Sequence, residues 1–403
     1  MNKLNEINNG GVTSPQGFLA VGVKAYIKKD KKDLAVIYSE VPATAAGVFT
    51  TNKVKAAPLL VTKEHIKNGR AQAVVVNAGN ANACTGEQGF DNAVATAQRA
   101  GELLKIDPHD VIVTSTGVIG VQLPMDRVLA GVEKAVGKLD RDGGAKAAKA
   151  IMTTDTVPKE IAVEFMLGGK KAVIGAMAKG SGMIHPNMAT MLGFVTTDAA
   201  VSPALLDRAL RYAVNRTFNM VTVDGDTSTN DMVVVLANGL AGNPEITAED
   251  DDYITFRDAL LYVCTYLARM IARDGEGATK LVEVRVVNAA SEEDAKKAAK
   301  AVANSNLVKT AIFGEDANWG RIICAVGYSG AEFDPAKVDI SIGDEKMCGD
   351  GTPLNFSEER AKKILERDEV SILVDMKAGP AEAVAWTCDF SYDYVKINAD
   401  YRT

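Results

Sequence analysis

Short runs of β-branched residues alternate along this chain with longer segments of helical periodicity. The first such runs predict strands at residues 21–27, 34–38 and 73–77. A helix is predicted from about residue 91 to 104, where small and apolar side chains recur at helical spacing, and a strand follows at 110–113. This alternation indicates an α/β fold.

Later segments continue the pattern and then change its character near residue 281. Helices are predicted at 203–215 and 255–273 and a strand at 221–223, whereas the glycine- and alanine-rich stretch 143–150 is predicted to be mobile. Beyond residue 281 the pattern is of strand-helix-strand units, with strands at 282–287, 338–342, 370–374 and 383–389 and a helix at 291–302. We therefore predict a catalytic region, 1–280, and a smaller α/β C-terminal domain, 281–403.

Composition excludes several classes of function. The net charge is −7 and the basic residues are scattered, which argues against a nucleic-acid partner. The apolar run 259–272 contains Arg269 and is too short to span a membrane, and the first residues lack the apolar core of a signal peptide. Five cysteines without a Cys-x-x-Cys pair favour reduced thiols. These features predict a cytoplasmic protein with no metal site and no membrane partner.

One segment, residues 179–198, combines a turn signal with the start of a buried strand. Pro186-Asn187 favours a turn, Ala189 is small, and the apolar run from Met191 predicts a strand directly after Thr190. If the bond between Ala189 and Thr190 were cut, Thr190 would carry a hydroxyl nucleophile beside its own α-amine. An α-amine has an ordinary pKa of roughly 7.7–8.0, which suits a general base near neutral pH. The segment is therefore a candidate self-cleavage site.

The same segment and several others resemble a known family. The chain resembles the ornithine acetyltransferases, which are the glutamate N-acetyltransferases of arginine biosynthesis. The resemblance is carried by motifs in order along nearly the whole chain: Asn77-Ala-Gly-Asn-Ala-Asn-Ala-Cys-Thr-Gly86, Ser115-Thr-Gly-Val-Ile-Gly120, Met152-Thr-Thr-Asp-Thr156, Ala189-Thr-Met-Leu192, Val223-Asp-Gly-Asp-Thr-Ser-Thr-Asn-Asp231, Asp274-Gly-Glu-Gly-Ala-Thr-Lys280 and Asn398-Ala-Asp-Tyr-Arg-Thr403.

The resemblance implies a fold, a processing step and an activity. It implies a self-cleaving N-terminal-nucleophile type of fold with αββα layers and a smaller α/β C-terminal domain. Cleavage gives an α chain, 1–189, and a β chain, 190–403, which assemble as a heterotetramer of two α and two β chains. The enzyme moves the acetyl group of N2-acetylornithine to L-glutamate through an acetyl-threonine intermediate, without a cofactor. Whether acetyl-CoA is also a donor stays open.

The resemblance also assigns residues to roles. Thr190 is the nucleophile, and Thr116 and Gly117 form the oxyanion hole. Residue chemistry is compatible with further assignments, because a fixed lysine ammonium can hold a substrate carboxylate and a glutamate can hold an ammonium group. The residues that the resemblance assigns to substrate binding are Thr153, Lys179, Thr190, Glu276, Asn398 and Thr403.

Alternatives remain open at this point. A self-processing aminopeptidase or amidohydrolase would use water as the acyl acceptor, and a binding protein would keep the bond between Ala189 and Thr190 intact. Cys84 is a rival nucleophile, although a small buried thiol is the expected state for it. The acidic loop 224–231 lacks the glycine and glutamate of a calcium-binding EF-hand, so a hydrogen-bonding turn near the site is expected.

Self-cleavage can be tested by the denatured mass of the purified protein. We expect two fragments, 1–189 and 190–403, with Thr190 at the new N-terminus. A Thr190→Ala variant should stay full length, because it lacks the hydroxyl that attacks the Ala189 carbonyl. A single uncut wild-type chain would contradict the prediction.

Overall fold

The structure is a computed structural model that describes residues 4–185 and 191–400. The predicted cleavage residues, Ala189 and Thr190, and the predicted substrate residue Thr403 lie outside the described residues. The described chain forms two sheets and eleven α-helices, so the mixed α/β class is confirmed. In this part of the chain, no helix combines the length and the apolar character that crossing a membrane requires.

A nine-stranded sheet forms the first part of the fold, in the order β1-β6-β7-β8-β9-β3-β4-β5 with β2 paired to β3. The 16-residue strand β3 joins its two halves, because its early residues pair with β4 and its later residues pair with β9. The strands are β1 (Asn5–Glu6), β2 (Phe18–Val23), β3 (Leu34–Phe49), β4 (Arg70–Asn80), β5 (Val111–Val118), β6 (Lys159–Leu167), β7 (Lys170–Lys179), β8 (Leu192–Thr197) and β9 (Met232–Ala237).

Six helices accompany this sheet. Strands β8 and β9 are buried throughout, as expected for apolar runs covered on both faces. The helices are α1 (Ala57–His65), α2 (Gly86–Leu104), α3 (Met125–Val136), α4 (Gly144–Ile151), α5 (Pro203–Arg216) and α6 (Asp251–Arg273). Helix α6 begins where the Asp250 carboxylate accepts a hydrogen bond from the Tyr253 amide, and acidic residues in its first turn favour the helix dipole.

The second sheet has six strands in the order β13-β12-β11-β14-β10-β15. Its strands are β10 (Leu281–Ala289), β11 (Asp339–Ile342), β12 (Glu345–Gly349), β13 (Thr352–Pro353), β14 (Glu369–Asp375) and β15 (Ala381–Cys388). Its helices are α7 (Glu292–Asn304), α8 (Asn306–Phe313), α9 (Trp319–Gly327), α10 (Glu358–Leu365) and α11 (Tyr392–Asp400). Helix α6 packs against strands of both sheets, and one continuous hydrophobic core joins them. The division into domains 1–280 and 281–403 stays a prediction.

Two predicted segments are wrong. The stretch 143–150 is not a mobile connection, because it forms α4 against β2 and β3. A Cβ on Gly143 would lie 1.7 Å from the Ala20 carbonyl oxygen, so glycine here permits close packing. Residues 221–223 form only an isolated bridge to Trp386, because the amides of Thr222 and Val223 bond to different segments.

The long helix α6 offers a test of the shared core. Leu260 is fully buried on it, whereas Ile254 on the same helix is 42% exposed. We expect Leu260→Ala to reduce the free energy of unfolding by about 2–5 kcal/mol, because it leaves a cavity in a packed interior. Ile254→Ala should have a much smaller effect. Thermal unfolding of both variants checks this, and equal shifts in melting temperature would contradict the assigned burial.

Candidate active site

A cavity of about 270 Å³ collects six of the residues that the sequence assigns to the site. Its size is near the lower end of the roughly 300–1,000 Å³ usual for ligand pockets, which suits a small molecule. Met191, which follows Thr190 in the chain, also lines the cavity. The six predicted residues that line it are Thr116, Gly117, Thr153, Lys179, Glu276 and Asn398.

Strand register explains why residues distant in sequence meet here. Lys179 at the end of β7 pairs with Leu192 at the start of β8, and Leu192 pairs with Met232 at the start of β9. These strand ends therefore lie side by side at one end of the sheet, next to Met191. The predicted strand after Thr190 is confirmed as β8.

The predicted oxyanion residues lie at the end of β5. Gly117 has a φ of +132°, and a Cβ there would lie 2.4 Å from the carbonyl carbon of Gly79 on β4. Glycine is therefore required by both conformation and space. The Ser115 hydroxyl donates to the Asn77 side-chain oxygen at 2.6 Å, which connects this strand end to the neighbouring strand β4.

Asp155 connects two of the predicted substrate residues. Its carboxylate accepts hydrogen bonds from the Thr153 amide at 3.0 Å and the Gly180 amide at 2.7 Å, and it lies 4.0 Å from the Lys179 ammonium. Burial alone would raise the pKa of Asp155, but the charges of Lys179 and Lys159 outweigh burial and hold this pKa well below its usual range. Asp155 therefore stays ionised and forms an ion pair with Lys179, which is predicted to bind substrate.

Lys159 is fully buried between two carboxylates. Its ammonium donates to Asp155 at 2.8 Å and to Asp274 at 2.5 Å. The amide and hydroxyl of Thr156 also donate to Asp274, while the Ser181 hydroxyl donates to the Asp274 carbonyl oxygen at 2.6 Å. These hydrogen bonds connect three parts of the chain: the segment before β6, the loop after β7 and the end of α6.

Glu276 is buried beside the loop that follows β7. Its amide donates to the Ser181 carbonyl oxygen at 3.0 Å, and its carboxylate accepts from the Asn398 amide group at 2.8 Å. A Cβ on Gly182 would lie within 2.4 Å of the Glu276 carboxylate, so the glycine makes room for this side chain. The structure therefore places Glu276 and Asn398, predicted separately, in direct contact.

The charges of the lining residues match an amino-acid ligand. Among the described residues that line the cavity, Lys179 is the one cation, and four side chains carry carboxyl groups. An ammonium and several carboxylates facing one small cavity can hold the carboxylate and the ammonium of a zwitterion. Within residues 4–185 and 191–400, no three or more His, Cys, Asp or Glu side chains are arranged to hold a metal ion.

The ArgJ family model matches residues 19–403 of this sequence. The chain belongs to the ArgJ family. The family predicted from the sequence is therefore confirmed, and with it the prediction of an acyltransferase of arginine biosynthesis.

Individual ArgJ proteins show the same relationship. The arginine biosynthesis bifunctional protein ArgJ of Symbiobacterium thermophilum is 60% identical, covering 98% of this chain and 99% of its own. The ArgJ protein of Caldanaerobacter subterraneus is 57% identical, covering 99% and 100%. The crystal structure of ArgJ from Bacillus halodurans is similar with a TM-score of 0.52 and 54% identity, covering 53% of this chain and 100% of that chain.

Sequence reasoning missed several residues of this ArgJ-family pocket. Asp224 accepts hydrogen bonds from the Met183 amide at 2.6 Å and the Ile184 amide at 2.9 Å, and the Tyr394 hydroxyl donates to it at 3.3 Å. Burial, followed by the charge of Asp224, raises the pKa of Tyr394. Tyr394 precedes Asn398 by one helical turn of α11, a spacing that would have indicated a shared face.

Two other reactive side chains, Cys84 and His185, lie outside the cavity. Cys84 is exposed rather than buried, which corrects the expectation, and it does not line the cavity. His185, the histidine nearest to Thr190 in the sequence, does not line it either. Burial lowers the pKa of His185 to about 4, and its ring bonds to the Thr222 hydroxyl at 3.1 Å. The acidic loop 224–231 does line the cavity, as expected for a turn near the site.

The structural role of Lys159 beside the pocket can be tested by substitution. Lys159→Met should reduce the free energy of unfolding by about 3–5 kcal/mol, because it leaves two buried carboxylates without their partner. Lys171→Met on β7 is the control, because Lys171 forms an exposed pair with Glu164, and such pairs contribute about 0–1 kcal/mol. Thermal unfolding at neutral pH measures both variants. A Lys159 variant as stable as the control would contradict the structural role.

Proposed function

We propose that this chain cleaves itself between Ala189 and Thr190 and then transfers the acetyl group of N2-acetylornithine to L-glutamate. The observation that carries the proposal is the single cavity that unites Thr116, Gly117 and Lys179 with Glu276 and Asn398. Met191 lines the same cavity, so the predicted nucleophile is its neighbour in the chain.

The proposed reaction has two half-reactions. Thr190 Oγ attacks the acetyl carbonyl carbon of N2-acetylornithine, while the Thr190 α-amine accepts the hydroxyl proton. Thr116 and Gly117 stabilise the negative charge that develops on the carbonyl oxygen, a contribution of about 3–4 kcal/mol for one such donor. Ornithine leaves, and the amine of glutamate then takes the acetyl group from the threonine ester.

The pocket charges support roles for the other residues. In this proposal, Lys179 binds the substrate carboxylate while it pairs with Asp155, and Glu276 binds an ammonium group. Thr153 and Asn398 complete this set through hydrogen bonds, and Thr403 retains the substrate role that the family resemblance implies. The proposal includes a cytoplasmic enzyme assembled as two α and two β chains. It requires no cofactor and leaves open acetyl-CoA as a second acetyl donor.

An acyl-trapping experiment tests this function. Incubation with N2-acetylornithine alone should add one acetyl group to fragment 190–403 and release one equivalent of ornithine. Addition of glutamate should remove that acetyl group as N-acetylglutamate, and initial rates should give the parallel double-reciprocal lines of ping-pong kinetics. Denatured mass and product analysis measure each step.

The control and the contrary outcomes are distinct. A Cys84→Ser variant should be acetylated like the wild type, because the exposed thiol lies outside the cavity. Acetate released without glutamate would favour a hydrolase that uses water as the acceptor. Intersecting kinetic lines, or acetylation confined to fragment 1–189, would overturn the proposed nucleophile.

A further inference from the structure

Asn230 lies in the wall of the cavity and has no part in the proposed reaction. It is 4% exposed, and its side-chain amide group donates to two backbone carbonyl oxygens, those of Ala81 at 2.6 Å and Ser115 at 2.8 Å. Its side-chain oxygen accepts from the Thr229 hydroxyl at 2.5 Å. The two N–H donors of the side chain are both used within the protein, so Asn230 can affect the reaction by holding other groups in place.

The hydrogen bond to Ser115 reaches the strand that carries the predicted oxyanion residues. Ser115 directly precedes Thr116 and Gly117 at the end of β5. Because a peptide unit is planar, fixing the Ser115 carbonyl oxygen also fixes the direction of the Thr116 amide. Asn230 therefore restrains the strand end at which the negative charge is proposed to be stabilised.

The backbone around Asn230 is fixed beside the strand that follows the predicted nucleophile. The carbonyl oxygen of the next residue, Asp231, accepts from the Thr50 amide at 2.9 Å. The amide of Met232, at the start of β9, donates to the Met191 carbonyl oxygen at 2.9 Å. The main chain at Asn230 is thus attached to the nucleophile side of the site, while its side chain is attached to the oxyanion side.

The sheet by itself connects these two sides over a long path. Strands β9 and β5 are separated in the sheet by β3 and β4. Strand β3 pairs with β4 through Leu34 and with the start of β9 through Phe49, so nearly all of its 16 residues lie between the two contacts. That path is about 50 Å of strand at roughly 3.3 Å per residue, and small changes in its twist would alter the distance across the site. The Asn230 side chain bridges the two sides directly.

We propose that Asn230 is a positioning residue that fixes the oxyanion pair, Thr116 and Gly117, relative to the predicted nucleophile. This inference rests on the proposed acetyl transfer. Oxyanion donors are effective only when they lie at hydrogen-bond distance from the oxygen that becomes negative, and the attacking group determines where that oxygen lies. Lys179 and Glu276, which are proposed to bind the substrate, are held by other contacts and do not depend on this bridge.

The kinetics of an Asn230→Ala variant test this role. We expect the maximal rate at which N2-acetylornithine acetylates fragment 190–403 to fall by about 10²-fold, because a displacement of about 1 Å between reacting groups has an effect of this size. The half-saturating concentration of N2-acetylornithine should change little, because an interaction that acts only in the transition state affects the rate and not the binding. Single-turnover kinetics followed by denatured mass measure both quantities.

Asn238→Ala is the matched control at the opposite end of β9. Asn238 is 9% exposed, and its side chain also donates two hydrogen bonds and accepts one, with Gln16, Ser39 and Leu240 as partners. Both variants lose a buried and hydrogen-bonded side chain, so their melting temperatures should fall by similar amounts. Only Asn230→Ala should slow acetylation. A wild-type rate in Asn230→Ala, or a slowing shared by both variants, would overturn the inference.

A second measurement covers the case in which Asn230→Ala does not cleave itself. Its melting temperature is then compared with that of a protein carrying Asn238→Ala and Thr190→Ala, which is expected to stay uncut because it lacks the nucleophile. Similar melting temperatures would support the inference, because attack by the nucleophile is lost without a larger loss of stability. A much lower melting temperature for Asn230→Ala would overturn it. A wild type that N2-acetylornithine does not acetylate would overturn the proposed function instead.

Discussion

The pocket depends on one buried ion group, in which the Lys159 ammonium lies between the carboxylates of Asp155 and Asp274. Charges removed from water are tolerated only when they are paired and hydrogen-bonded, and here backbone amides and hydroxyls complete the pairing. Because Asp155 also binds the backbone at Thr153 and Gly180, the same group fixes the two segments that carry predicted substrate residues.

The second constraint is the register of the strands on either side of the nucleophile segment. Parallel pairing of β8 with β9 places Asp231 beside Met191, and antiparallel pairing of β7 with β8 places Lys179 there as well. A shift of one residue would turn each of these side chains to the other face of the sheet. The catalytic proposal for Thr190 therefore rests on one arrangement of strands, in which Lys179 and Asp231, 12 and 40 residues away from Met191 along the chain, both lie next to it.

Local patterns predicted much of the architecture. They failed at residues whose role depends on contacts with distant parts of the chain. The periodic segments of α5, α6 and α7 and the apolar runs of β10 and β14 are close to their predicted positions, because amphipathic and β-branched patterns act within one element. The stretch at Gly143 was misjudged, since its glycines serve close approach to Ala20 rather than mobility. Cys84 is exposed although its neighbours Ala83 and Thr85 are buried, which residue type alone does not indicate.

The sequence by itself determined the family, the α/β class and six residues that meet in one cavity, because motif order and periodicity are properties of the chain. Asp155 and Asp231 could not be selected from it, because an aspartate in a turn motif has the same local pattern whether it is solvated or buried. Only the tertiary structure decided their environment: packing removed water from both carboxyl groups, gave Asp155 two cationic neighbours, and left Asp231 Oδ2 without a hydrogen-bond partner among the described residues. Their charge states follow from that burial and from those neighbours.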